Sequence, residues 1–399
     1  MAKLIGGLPN QVPTNGDLGT MAFMDYDVVA PQFLAGGRRN LIINGAMQVA
    51  QRGTSATWSN GSAYRTLDRW SHDWSMNGSM TSEQVTDAPD GFDLSLKCTV
   101  ATPSTDNMSS GSEYFTLRQA IEGYNSTPLA YGTSSAKTIT LSFWVKASTA
   151  ATYAAGFRSN LAGTTHGNFR TFSIDAANTW EYKTLTYNPS TSYDFSNRTT
   201  LTALELHIAL SCSSNLSDPT GDGNWNAGNY IGMNSADGTI GNFAALSAGE
   251  TFQITGVQLE VGSVATPFEH RSYGEELALC QRYFQQSSQA GGNPYANRYV
   301  PIFRYNSAGE WYGHQEFPVP MRSDPTMTTS TGSSGTWGMW WNGTGTASLT
   351  SGLPTCDGSR HGFHFYLTNN VSTVGYGGMT THGDGSSSYR WEWFADAEL

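Results

Sequence analysis

The chain is poor in cysteine, and the few cysteines it has are far apart. Four cysteines occur in 399 residues, and none belongs to a C-x-x-C pair. A disulfide scaffold or a zinc site built on paired cysteines is therefore not indicated. We expect all four to be reduced, buried small side chains. They are Cys98, Cys212, Cys280 and Cys356.

Positive charge and long apolar runs are also scarce. The chain has 21 Lys and Arg against 32 Asp and Glu, a formal net charge of −11, and no Lys/Arg cluster exceeds two residues. A phosphate backbone attracts clustered positive charge, so no nucleic-acid partner is expected. No apolar run approaches the roughly 18 residues of a membrane helix, and residues 1–7 contain no signal-peptide core. We expect neither membrane insertion nor Sec-dependent export.

What the chain has in quantity is glycine and aromatic residues. With 44 Gly, 12% aromatic residues and only 13% charged residues, its composition suits turns and sheet surfaces rather than solvated helices. Single cores stop growing at about 250 to 300 residues, so the length predicts more than one domain. The fold class predicted is all-β.

Residues 1–36 form the first predicted segment. Their apolar side chains are too scattered to make a core, and prolines interrupt them. Such a tail is either disordered or ordered by a partner, and its apolar islands favour a partner. We predict a docking or oligomerisation segment whose interface includes Met21, Phe23 and Phe33.

Residues 37–271 are predicted to form a β-sandwich of the jelly-roll type. Residues 138–146 alternate with period two, which places Ile139, Leu141, Phe143 and Val145 on one face. The opposite face then carries threonine, serine, tryptophan and lysine. Similar short runs flanked by turn residues recur across the segment, as in antiparallel sandwiches.

Residues 272–290 are predicted to be a linking helix. Ser272 followed three residues later by Glu275 matches a capping box. One stripe at helical spacing is predicted to hold Tyr273, Leu277, Cys280 and Phe284. We expect this stripe to contact a second domain or a neighbouring subunit.

Residues 291–399 are predicted to be a smaller C-terminal β-sandwich that binds a receptor. The segment is dense in aromatic residues, which can stack on the C–H side of sugars. Alternation suggests that many of its tryptophans pack in a core. The candidates for a receptor or glycan contact are Trp311, Tyr312, Trp340 and Tyr376.

Catalytic motifs are missing from the sequence. It has no G-x-S-x-G elbow, P-loop, H-E-x-x-H or dinucleotide fingerprint. The candidate acids of a glycoside hydrolase stand singly, at Glu205, Glu260, Glu310, Glu316 and Glu392. We predict that the protein is not an enzyme, although distant carboxylates can still meet in a fold.

No metal or cofactor is predicted. His361 and His364 stand near His382 and Asp384, but residues three apart in a strand face opposite sides. The acidic turn at residues 218–224 carries oxygen ligands without the downstream glutamate of a regular calcium loop. Structural calcium is the alternative left open.

Several stretches, in order along the chain, resemble one family. They resemble the carbohydrate-binding-module-like sandwich of bacteriophage tail fibres and related phage tail proteins. The leader is similar to the start of many such fibres, and the resemblance extends from about residue 10 to residue 287. The stretches are residues 10–20, 40–54, 68–70, 117–123, 141–147 and 257–283.

The resemblance implies a structural protein of the virion, assembled in the host cytoplasm. It implies a homotrimeric fibre whose N-terminal segment docks to phage tail proteins and whose C-terminal domain faces the host. The partner at that end would be a host-surface glycan or an envelope protein. Two alternatives stay open: a tail or capsid decoration protein that acts as a spacer, and a polysaccharide depolymerase.

Overall fold

Strands are the main secondary structure of the computed structural model, as the sequence predicts. The model describes residues 38–109, 111–159, 165–193, 199–287, 299–304, 310–331, 337–341, 345–349, 355–368, 377–380 and 391–399. The predicted interface residues Met21, Phe23 and Phe33 lie outside this part of the chain.

Two large antiparallel sheets form the sandwich. We call them sheet A, with six strands, and sheet B, with seven. Sheet A has the order β1 (Ser55–Trp58), β4 (Ser79–Val85), β5 (Ser95–Thr102), β13 (Thr251–Val261), β7 (Ile139–Ala147) and β10 (Glu181–Tyr187). Sheet B has the order β12 (Asn226–Ala227), β9 (His166–Ile174), β8 (Ala151–Ser159), β11 (Thr202–Cys212), β6 (Tyr114–Glu122), β3 (Ser71–Ser75) and β2 (Gly61–Tyr64).

The core lies between these two sheets. The four apolar residues predicted to share one face of β7 are fully buried, which confirms the alternation. Phe143 of sheet A meets Phe172 of sheet B edge to face, with ring centroids 5.0 Å apart. Burying each large apolar side chain contributes about 1.5 to 3 kcal/mol. The other face of β7 is directed away from this core, with Trp144 and Lys146 half-buried but Thr140 and Ser142 buried.

Two short α-helices are described, α1 (Gly123–Ser126) and α2 (Tyr273–Gln281). Three 3-10 helices are also described, Thr127–Leu129, Ser214–Leu216 and Phe243–Ala245. The predicted capping box is present, since Ser272 Oγ accepts from the Glu275 amide while the Glu275 carboxylate accepts from the Ser272 amide. Tyr273 is 52% exposed, so the predicted apolar stripe is not continuous.

The predicted extent of this helix, residues 272–290, is wrong. The helix ends at Gln281, and β14 (Phe284–Gln286) follows it. Residues 284–286 pair with the backbone of the last strand, Phe284 opposite Asp396 and Gln286 opposite Phe394. A partner strand contributed from far along the chain outweighs the local helical spacing.

The C-terminal strands form two further sheets. The small sheet has the order β14, β23 (Trp391–Asp396) and β17 (Thr326–Thr331). The C-terminal core includes Phe317, Phe363 and Trp393, which are buried with ring centroids 4.9 to 5.9 Å apart. The second sheet has seven strands in the order β19 (Gly345–Leu349), β18 (Trp337–Trp341), β22 (Gly377–Thr380), β15 (Tyr299–Arg304), β16 (Glu310–Glu316), β21 (Gly362–Thr368) and β20 (Thr355–Ser359).

Buried charges join the C-terminal strands to the sandwich. Glu398 pairs with Arg69, whose side chain is 1% exposed. Arg52 lies 3.1 Å from Asp396 and 3.3 Å from Glu398, measured between guanidinium nitrogens and carboxylate oxygens. The Tyr64 hydroxyl donates to the carbonyl of Leu399 at 3.0 Å. Removing one partner of such a buried pair leaves an uncompensated charge, so these contacts fix the two parts against each other.

Three cysteines have described side chains, Cys98, Cys212 and Cys280, and each is free and buried. Burial raises the pKa of the Cys212 thiol to about 12. These thiols are therefore packing residues rather than nucleophiles. In the described part of the chain, no helix has the length and apolar character needed to cross a membrane.

Candidate functional site

Three aromatic rings lie together on the outer face of sheet A. Trp144 of β7 and Tyr182 of β10 stand directly opposite each other, with ring centroids 5.3 Å apart and planes inclined by 49°. Trp180 precedes β10, and Lys146 Nζ lies 5.1 Å from the centre of its ring. Tyr182 is 45% exposed and the two tryptophans are half-buried. We call these three rings the aromatic surface.

Polar groups border the aromatic surface. The Asp87 carboxylate accepts hydrogen bonds from Lys146 Nζ, from Trp180 Nε1 at 3.3 Å and from Gln253 Nε2 at 3.2 Å. The hydrogen bond from Lys146, followed by those from Trp180 and Gln253, lowers the pKa of Asp87 below its usual range. Asp87 is therefore ionised at neutral pH and able to accept further hydrogen bonds beside the rings.

This arrangement suits a sugar chain. Aromatic faces pack against the C–H side of a sugar ring, while carboxylates, amides and hydroxyls bind its polar edge. The exposed Thr184 stands two positions along β10 from Tyr182 and adds a hydroxyl to the same face. Because Tyr182 and Thr184 are both exposed, an extended polymer can lie along β10 on this face.

A second candidate site lies on the outer face of sheet B. Charged side chains come from four neighbouring strands, β3, β6, β11 and β8. A cavity of about 350 Å³ is lined by them together with Tyr114, Leu216 and Ile231. This volume is at the small end of the range for ligand pockets, about 300 to 1,000 Å³. We call it the polar groove, and its charged and ionisable residues are Asp73, Arg118, Arg158, Glu205 and His207.

Glu205 is the centre of the polar groove. Its two carboxylate oxygens are each held at 2.7 Å by a different guanidinium group, that of Arg118 and that of Arg158. Arg118 also lies 2.8 Å from an Asp73 oxygen. The His207 imidazole is 3.7 Å from the carboxylate and is 2% exposed. Two cations and two anions therefore alternate across the strands.

The surroundings of Glu205 keep it ionised. Burial alone would raise its pKa, but His207, Arg118 and Arg158 together hold the pKa well below its usual range. A general acid in glycoside hydrolysis needs the opposite shift, because it must stay protonated at the working pH. Glu205 is therefore held as the ionised partner of the two arginines and is not placed to donate a proton.

The predicted receptor residues lie in the seven-stranded C-terminal sheet, as far as they are described. Trp311 and Tyr312 belong to β16 and Trp340 belongs to β18. Two strands, β22 and β15, separate them. At about 4.8 Å between neighbouring strands, the two positions are roughly 14 Å apart. Tyr376 lies outside the described residues.

The predicted interface residues of the helical segment lie between the sandwich and the C-terminal strands. Cys280 packs with Ile43 and Val49 of the sandwich, and Leu277 packs at the edge of this cluster. Phe284 is buried in β14, where the Arg52 guanidinium lies 3.7 Å from the centre of its ring. These three residues therefore make contacts within one chain, and a contact between subunits stays a prediction.

The acidic turn at residues 218–224, for which structural calcium is the alternative, accepts hydrogen bonds from groups of the protein itself. Asp218 accepts from the Phe169 amide at 3.0 Å and from the Thr220 amide at 3.1 Å. Asp222 accepts from Asn224 and Thr220. Nowhere in the described ranges do three or more His, Cys, Asp or Glu form a group that could hold a metal ion. His382 and Asp384 lie outside those ranges.

The sequence alone predicts only a few features of the aromatic surface and the polar groove. Period-two alternation directs Trp144 away from the core, but nothing local shows that Tyr182 is its neighbour. The polar groove had no signal beyond Glu205, since its residues come from four strands whose order the sequence does not reveal. Both surfaces were therefore missed as sites.

Comparisons with known proteins give structural likenesses alone. No family model matches the chain. No curated protein matches it either.

Similar solved structures include a phage tailspike domain and carbohydrate-binding modules. The enzymatically active domain of tailspike protein 4 from bacteriophage CBA120 is 14% identical, with a TM-score of 0.29, and the match covers 56% of this chain and 21% of that one. A family 11 carbohydrate-binding module from Clostridium thermocellum, in complex with a mixed-linked tetrasaccharide, is 10% identical with a TM-score of 0.26. The match covers 54% of this chain and 99% of that one. The xylohexaose-bound CBM22-1–GH10 modules of Clostridium thermocellum xylanase 10B are 9% identical with a TM-score of 0.28. That match covers 59% of this chain and 30% of the other. At such low identities and TM-scores, these likenesses carry no argument about function.

Proposed function

We propose that this protein is a carbohydrate-binding adhesin that attaches a phage tail to a host-surface glycan. In this proposal it is a homotrimeric tail fibre of the virion, and residues 1–36 dock it to other tail proteins. The resemblance of residues 10–287 to phage tail fibres supports the virion role. The aromatic surface supports carbohydrate binding and is the observation on which the proposal depends.

The aromatic surface is suited to adhesion because its rings are held in place before a ligand arrives. Trp144 lies between β13 and β10 in the sheet, and the ion pair of Lys146 with Asp87 borders Trp180. Side chains held in this way lose little conformational freedom on binding. In a homotrimer, three such surfaces would act together, so a modest affinity at each site would suffice for attachment.

We further propose that the protein binds the glycan without cleaving it. Glu205 is the one sequence-predicted catalytic acid that lies in a described pocket, and its carboxylate is held ionised between two arginines. A depolymerase is the alternative, and shortening of the host polysaccharide on incubation would favour it. A spacer is the other alternative, and it predicts that the isolated protein does not compete with phage adsorption.

The test is the binding of the full chain to capsular and lipopolysaccharide preparations from host cells, measured by biolayer interferometry. Trp144→Ala and Tyr182→Ala are expected to weaken binding at least tenfold, which is about 1.4 kcal/mol. Tyr273→Ala is the matched control, because Tyr273 is a comparably exposed tyrosine, at 52%, that belongs to α2 and not to a strand of sheet A. Equal binding by all four proteins would overturn the assignment of the site.

The oligomeric state has its own measurement. Light scattering of the purified chain is expected to give three times the monomer mass of 43.1 kDa. A stable monomer at micromolar concentration would contradict the trimeric fibre while leaving glycan binding to be judged by the variants above.

A further inference from the structure

Two histidines stand side by side in the C-terminal sheet. His314 of β16 is directly opposite His364 of β21 in the antiparallel pair. Their ring centroids are 4.6 Å apart, with the ring planes inclined by 41°. Both side chains are exposed to solvent. The pair is therefore accessible to a small solute.

The neighbouring backbone leaves room for these rings. A Cβ atom at Gly362 would lie 2.4 Å from the carbonyl oxygen of Gln315 and 3.1 Å from Cε1 of His314, closer than such contacts normally are. The glycine thus allows the two strands to approach closely, and the His314 ring lies beside it. On the other side, Asp357 of β20 occupies the register position opposite His364. His314, His364 and Asp357 therefore form one row across three strands.

The spacing of the two rings fits a shared metal ion. An imidazole nitrogen binds a divalent transition metal at about 2.0 to 2.1 Å, which places the ion roughly 3 Å from the ring centre. Two ring centres 4.6 Å apart can both be at that distance from one ion, with an angle near 90° at the metal. Imidazole favours zinc, copper and nickel, whereas calcium and magnesium favour oxygen ligands.

We propose that His314 and His364 form a binding site for one late first-row divalent transition-metal ion, such as Zn²⁺. The ion would join β16 to β21, and water would complete its coordination. With two histidine ligands, the site is compatible with the finding that the described residues hold no group of three or more metal-ligating side chains. It is independent of the glycan proposal, because it lies in a different sheet from the aromatic surface.

The proposed role of the ion is to reinforce the C-terminal sheet. A ligand that binds only the folded state stabilises it by mass action. The metal would link β21, which carries Phe363 of the C-terminal core, to β16.

Isothermal titration of the untagged, chelator-treated full chain with ZnCl₂ tests the proposal. We expect one zinc ion per chain, and at least tenfold weaker binding in His314→Ala and in His364→Ala. His361→Ala is the matched control, since His361 is exposed beside the same hairpin but lies outside the row. CaCl₂ should give no binding. Unchanged zinc affinity in both variants, or an equal loss in the control, would overturn the site.

Electron paramagnetic resonance with Cu²⁺ provides a readout that does not depend on stability. The full chain is expected to show coupling to two imidazole nitrogens, and His314→Asn should show coupling to one. Circular dichroism confirms that each variant is folded. A copper spectrum that is identical in the full chain and the variant would contradict a shared site.

Discussion

The two outer faces of the sandwich come from the same period-two alternation and have opposite chemistry. At the β7–β10 end of sheet A the outward positions hold aromatic rings with polar groups at the border, and Tyr182 is 45% exposed. On sheet B the outward positions hold arginines and carboxylates that satisfy one another, with side chains only 9% to 24% exposed. Alternation therefore decides which residues face outward, while the strand neighbours decide what those residues can do.

The difference separates two uses of a sheet surface. Paired charges in the polar groove hold four strands in register and leave little free charge for a ligand. The aromatic rings of sheet A contact one another, and Tyr182, at 45% exposed, retains area that a ligand can cover. The comparison thus predicts that mutations on sheet B act on stability and mutations on sheet A act on binding.

The largest effect is expected from Glu205→Ala. Without the carboxylate, the guanidinium groups of Arg118 and Arg158 face each other with no anion between them. Loss of one partner of a largely buried pair costs about 3 kcal/mol. Urea unfolding followed by circular dichroism measures this loss, and glycan affinity should stay unchanged. A variant as stable as the parent would show that the polar groove does not hold the strands.

The pH dependence of stability gives a second test of the role of Glu205 on sheet B. Because the pKa of Glu205 is depressed in the folded state, its stabilising contribution is present above the unfolded pKa of about 4.5. The contribution is lost as the pH falls below that value towards the lower folded pKa. The stability difference between the parent and Glu205→Ala should therefore be constant from about pH 7 to pH 5 and shrink below about pH 4.5. Unfolding curves across this range check the sign, and a difference that grows in acid would contradict it.

Trp144→Ala tests the binding face for stability as well as for affinity. The side chain is half-buried and lies outside the core, so its removal should cost only about 1 kcal/mol of stability while glycan affinity falls at least tenfold. Thermal unfolding in the absence of glycan, compared with binding measured well below the midpoint, separates the two quantities. Loss of binding together with several kcal/mol of stability would show that Trp144 acts through packing.

The smallest effect is expected from Glu83→Ala on sheet A. Its ion pair with Lys97 spans 3.0 Å, but the two side chains are 33% and 27% exposed. Exposed pairs contribute about 0 to 1 kcal/mol because water and salt screen them. The same unfolding assay that is used for Glu205→Ala gives the comparison. If the two deletions cost the same, burial of the charges on sheet B would not explain their importance.

Local sequence patterns predicted the elements better than they predicted the sites. The alternation in β7 and the capping box of α2 were correct, because both are governed by neighbours within a few residues. The end of α2 was wrong because Phe284 and Gln286 pair with a strand more than a hundred residues away. The polar groove could not be predicted, since Asp73, Arg118 and Glu205 meet only after three strands take their places in the sheet.

His364 is another residue whose neighbour is distant in the sequence. The sequence pairs it with His361, which is three residues away and faces elsewhere, and this spacing argued against a metal. The ring that lies against it belongs to His314, fifty positions earlier on the neighbouring strand.

The position of β23 in the small sheet constrains how the protein matures. It lies between β14 and β17, so both of these strands lack their main partner until residue 396 has left the ribosome. The sandwich strands, all encoded earlier, can close their core first, in line with N-terminal domains folding during synthesis. A ribosome that stalls late would therefore release a product with a finished sandwich and two unpaired strands, a natural substrate for quality control.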